Sequence, residues 1–113
     1  MTHVEQTARA QNAAREERTL DALRSILATP AGRTLHNFVE DSAAVWSDAP
    51  AAEADRAAWI GRRALGLFLL RAFREADHEA CLMAERERRA MEAREADEIA
   101  EARRLDEQET SQT

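Results

Sequence analysis

The chain is predicted to be all-α, a small three-helix core followed by a long charged C-terminal helix. Three observations carry that expectation. Bulky apolar residues recur at helical spacing in three segments, about 20–28, 30–46 and 53–76. Pro30 and Pro50 stand where new helices can begin. The one densely apolar stretch, Trp59 to Phe73, lies in a chain that is 34% charged, so any core has to be built around it. A chain of 113 residues with a polar C-terminal run has room for one small domain and little room for a deep pocket.

The elements follow in order. Thr2-x-x-Glu5 reads as a capping box, in which hydroxyl and carboxylate each satisfy an orphan backbone donor. Residues 3–18 carry hardly any apolar periodicity, so 1–19 is expected to be a polar helical or frayed arm. The core domain, 20–83, opens with Leu20, Leu23, Ile26 and Leu27 on one side of a helix. Pro30 ends that helix near Ala28, and Thr29 with Pro30 restarts the next one. In this second helix Leu35, Phe38, Val39, Ser42 and Trp46 share roughly 100° of arc and are expected to face the core. Arg33, Asn37, Glu40 and Ala44 are expected to face away. Ser47 to Ala54 is the connection to the third helix, which runs to Ala76. Asp77 caps a fourth helix from about His78, with Glu79 in its first turn and Cys81, Leu82 and Met83 still able to touch the core. The tail, 84–113, offers Met91, Ile99 and Leu105 at spacings that hold no heptad seam, with Glu85/Arg89 and Arg103/Glu107 at i,i+4. A long solvated helix that frays toward its end is expected.

The third helix has two unlike apolar faces. Ala58, Gly61, Leu65, Phe68, Leu69 and Ala72 form the broader one and are expected to point inward. Gly61 and Gly66 each cost about 1 kcal/mol against Ala, which predicts the close approach of another helix backbone. The opposite side interleaves Arg63, Arg71 and Arg74 with Ile60, Leu67 and Leu70, and has Trp59 at its edge. Trp and Arg beside aliphatic residues is the composition of protein-interface hot spots. The expected partner-binding set is therefore Trp59, Ile60, Arg63, Leu67, Leu70, Arg71 and Arg74. Ion pairing within the chain and contact with a nucleic-acid backbone are the competing readings of the same arginines.

Composition narrows the function classes. The net charge is −6, and Met83–Glu109 holds ten acidic residues against six Arg. A nucleic acid is not expected as a specific ligand, because phosphate neutralisation needs a basic surface. All 16 basic residues are Arg, which suits bidentate pairing in protein contacts, although a GC-rich genome explains the bias as simply. Cys81 is alone, so no internal disulfide is expected and a reducing compartment is. The start M-T-H-V-E-Q-T-A-R-A has no apolar run, and the 15 residues of 59–73 contain three Arg where a membrane span needs roughly 20 mostly apolar ones. A soluble chain with no membrane segment, made in the cytoplasm, is expected.

Catalytic and metal sites are not expected. His78-x-x-Cys81 supplies two ligand types, whereas a zinc site takes three or four, and His3 and His36 have no soft partner nearby. Most carboxylates lie on the solvated tail, and Ser25, Ser42 and Ser47 have no His at motif spacing. There is no Gly-rich phosphate loop and no nucleophile elbow, so no cofactor is expected either.

With T-P-A-G-R at 29–33 and G-R-R-A-L-G-L-F-L-L-R at 61–71 after a Trp, the chain resembles a family of small tailed-phage proteins first named from a Bordetella podophage. The matching positions include Thr29, Pro30, Gly32, Arg33, Trp59, Gly61, Arg62, Arg63, Leu65, Gly66, Leu67, Leu69 and Leu70, within a stretch from about Leu20 to Glu87. Members are small helical chains encoded in the head-assembly module. The resemblance implies a non-enzymatic virion protein in the head interior or at the portal vertex. Its implied partners are portal, capsid or internal head proteins and further copies of itself, and departure with the DNA is a further option. A scaffold-like or chaperone-like assembly factor is the alternative, since a charged helical tail suits transient contacts. A small DNA-binding regulator is the second alternative, but the link 47–54 is longer than the usual helix-turn-helix turn. Two departures stand out: His78 where a Pro is expected, and a charged extension beyond Glu87 whose role stays open.

Overall fold

The computed structural model describes residues 2–43 and 48–112, and over them the chain forms four helices: α1 (His3–Leu27), α2 (Pro30–Ser42), α3 (Glu53–Ala76) and α4 (His78–Gln112). The punctuation read from the sequence is where the helices break. Glu5 N donates to Thr2 Oγ1 (3.1 Å) and Thr2 N to Glu5 Oε2 (3.0 Å), closing the capping box. Gly32 N donates to Thr29 Oγ1 (3.0 Å) ahead of Pro30, and Ala80 N donates to Asp77 Oδ1 (3.0 Å) at the start of α4.

Two boundaries differ from expectation. The polar arm and the first core helix are one continuous helix, because the capping box starts it and nothing between Glu5 and Ala28 breaks it. The second helix stops at Ser42, short of Trp46, and Ala44, Trp46 and Ser47 lie outside the described residues.

α2 and α3 pack on each other and on both remaining helices, so the core is a four-helix contact in which the first turns of α4 take full part. Among the described residues, Leu27, Leu70 and Phe73 are the only large apolar side chains that are buried; Ala43, Ala76, Ala80, Cys81 and Ala84 complete the set. Small residues let helix backbones come close. At Gly32 the approach is closest, since a Cβ there would overlap the Ile26 carbonyl.

Polar groups hold the rest of the α2–α4 seam. Arg33 donates to Glu87 Oε1 (2.8 Å) and to the Leu27 carbonyl (3.1 Å) at the end of α1. Asn37 Nδ2 donates to the Ala84 carbonyl (2.9 Å). Arg88 pairs with Glu40 and also donates to the Asn37 carbonyl (2.8 Å). Arg24 plays for α3 the part Arg33 plays for α1, donating to the C-terminal Ala76 carbonyl (2.9 Å). Arg24 and Arg33 thus each satisfy a terminal carbonyl that has no partner within its own helix.

Outside this knot the molecule is bare helix. Its extents are 84 × 39 × 15 Å and its radius of gyration is 21.4 Å, against about 13 Å for a compact chain of this length. Residues 3–19 of α1 and 89–112 of α4 are exposed on every side.

Candidate partner-binding surface

The third helix is two-faced, as its sequence indicates, but it sits the other way round. Leu70 is 6% exposed and packs with Leu27, Phe73 and Cys81, while Leu67 is half-buried against the same cluster. Both therefore belong to the chain's own core, a correction to their expected place in a partner-binding face. Trp59 and Arg63 are half-buried, with the Arg63 guanidinium 5.8 Å from the Trp59 ring centroid in cation–π geometry. Ile60, Arg71 and Arg74 remain exposed, so three of the seven expected residues are open to a partner.

What faces out instead is the side expected to face in. Leu65 and Phe68 are 59% and 68% exposed, and Ala58 and Gly61 are exposed with them; Leu69 and Ala72 are half-buried at the margin. Among the described residues nothing lies within 4 Å of the position a Gly61 Cβ would occupy, so Gly61 does not serve the close approach of another helix there. The buried glycine of α3 is Gly66.

α2 is turned in the same sense. Leu35, Phe38 and Ser42 are exposed and Val39 is half-buried, whereas Arg33, His36 and Glu40 are buried and Asn37 is half-buried. The His36 ring meets Phe73 edge-on at 5.6 Å, and its Nδ1 donates to Asn37 Oδ1 (3.0 Å). Both reversals have one cause. The interior is assembled from small residues and matched ion pairs, so the bulkiest side chains are not needed there and are left outside. A detectable signal was present: Arg33, Asn37 and Glu40 at i, i+4 and i+7 complement Ala84, Glu87 and Arg88 on the helix they meet.

α4 carries its own open surface. At 100° per residue Ala80, Ala84, Met91, Ile99, Ala102 and Leu105 lie within about 120° of arc. The first two are buried in the core; Met91, Ile99 and Leu105 are 49%, 56% and 47% exposed on the same side farther along. Arg104 pairs with Glu101 on this extension, and that hydrogen bond holds the Glu101 carboxyl below the usual range.

The remaining candidates do not converge. His78 is exposed while Cys81 is buried, so the two point to different environments. Burial pushes the Cys81 thiol up, against the smaller opposing effect of Arg74. Among the described residues no three His, Cys, Asp or Glu side chains gather as metal ligands, and no helix is long and apolar enough to cross a membrane. The open groove between α2 and α4 is lined by Thr34, Asn37, Asp41, Arg88, Met91 and Glu95, with charges of both signs in contact with solvent. No family model, curated protein or solved structure matches this chain.

Proposed function

We propose that this chain is a non-enzymatic structural protein of a short-tailed phage particle, present in several copies and bound to portal, capsid or internal head proteins. The observation that carries the docking part of this reading is the α4 stripe. The side of α4 that packs in the core runs on through Met91, Ile99 and Leu105, which are about half exposed, with none of the described residues covering it. Apolar groups on the bare end of a 35-residue helix suit a groove on a neighbouring protein, where an amphipathic helix is read through such anchors. The particle assignment rests on the sequence resemblance around 29–33 and 59–71.

An assembly factor is the second reading, favoured by the charge of the same extension. The DNA-binding reading is weakened by the side chains α3 would offer a groove, Ile60, Leu65 and Phe68, which are apolar. Mass spectrometry of purified, nuclease-treated virions is expected to find the chain as a multi-copy component. Replacing Ile99 and Leu105 with Glu is expected to leave a folded helical protein that no longer enters the particle. A chain that is present during assembly and missing from finished virions would favour the assembly factor.

A further inference from the structure

We propose that a second copy of this chain covers the outer strip of α3, with the two α3 helices lying antiparallel about a two-fold axis at the helix midpoint, between Ala64 and Leu65. The inference deepens the multi-copy part of the reading above and is tested separately from particle membership.

The strip is built as a helix-pairing seam. Ala57, Gly61, Ala64 and Phe68 follow one another at four, three and four residues and share about 60° of arc, all exposed. Ile60 and Leu65 flank them on either side, 56% and 59% exposed. A seam of this spacing accepts another helix by setting side chains into the gaps of the facing one.

Size and charge both select another α3 in reverse orientation. Turning one helix end for end about the midpoint sets Phe68 opposite the Gly61 of the other copy. The largest exposed side chain then meets the one position with no side chain, where open space is found in the single chain. This also gives Gly61 a purpose: glycine weakens a helix, and no contact among the described residues requires it. The same rotation brings Glu53 of the first turn alongside Arg74 of the last turn of the other copy. A parallel pair would oppose like charges instead. Two-fold contacts of this kind use the same patch on both partners and close without a filament.

The area sets the strength. Ile60, Leu65 and Phe68 offer roughly 300–400 Å² of apolar surface per chain, so the pair covers roughly 600–800 Å² of it, the size of a weak, concentration-dependent contact. A dissociation constant in about the micromolar range is expected.

Sedimentation equilibrium or light scattering of the full chain from about 1 to 200 µM tests this. The wild type is expected to pass from monomer to dimer across that range. Gly61→Leu has room in the single chain and raises helix propensity, so it is expected to melt no lower than the wild type measured as a monomer, yet to stay monomeric because its side chain occupies the seat of Phe68. A wild type that remains monomeric throughout, or a Gly61→Leu protein that still pairs, overturns the proposal. If Phe68→Glu is lost from particles while the wild type is monomeric in solution, the strip binds a different protein; that also overturns the pairing and leaves particle membership standing.

Discussion

The first eleven residues of α4 and the twenty-four that follow belong to one helix and have much the same Ala, Glu and Arg content, yet only the first part is packed. In 78–88, Ala80, Cys81 and Ala84 are buried, and Glu87 and Arg88 each meet an oppositely charged residue of α2. In 89–112 the charged residues meet water, and the pair that forms, Arg104 with Glu101, lies on the helix surface. The difference teaches that helicity here comes from local propensity, whereas packing comes from small residues placed opposite another helix. Charge alone distinguishes nothing: an Arg at 88 is an anchor and an Arg at 104 is decoration.

That contrast can be broken by substitution, and the largest effect is expected in the core. Leu27→Ala removes the one large side chain that is fully buried among the described residues, and a loss of about 2–5 kcal/mol in urea or thermal unfolding is expected. In a domain with so few large buried groups, this leaves a partly unfolded chain at room temperature. Glu40→Ala comes next, since it leaves Arg88 at the α2–α4 seam with the more distant, exposed Asp41 at 3.4 Å as its carboxylate partner, beside the Asn37 carbonyl. The loss expected is about 2–3 kcal/mol, below the usual range for breaking a buried pair because Arg88 keeps some access to water. Far-UV circular dichroism should show the helical signal largely retained before the transition. Arg104→Ala sharpens the comparison from the other side. Breaking its pair with Glu101 should not move the unfolding midpoint, because the pair is exposed and neither partner touches the core. A measurable shift there would mean that the extension is packed on something.

Much of the fold was legible in the residues. Thr2, Glu5, Thr29, Pro30 and Asp77 mark helix starts by chemistry that acts within one turn, and each is found doing so. The two faces of 59–73 were legible as well, because periodicity is a local property. Which face lies inward was not. Leu35, Phe38, Leu65 and Phe68 have the side chains of a core and lie outside it, while Arg33, Glu40 and His36 lie within. Reading burial from hydrophobicity assumes that the chain closes on its greasiest surface. Here the interior closes instead on Ala84, Ala80 and Gly32, whose small size brings α4 and α1 close enough for Arg33 and Arg88 to reach their partners.

By itself, then, the amino-acid sequence determined four helices, the starting points of α1, α2 and α4 and the presence of two usable sides on the third, because caps, prolines and a 100° turn per residue need no distant partner. Only the tertiary structure decided that Leu70 is core, that Phe68 is surface and that α4 stays attached to α2 for three turns before running free. Those outcomes depend on backbone approach and on ion pairs between residues about fifty positions apart, and such long-range matches are not written in the periodicity of any single helix.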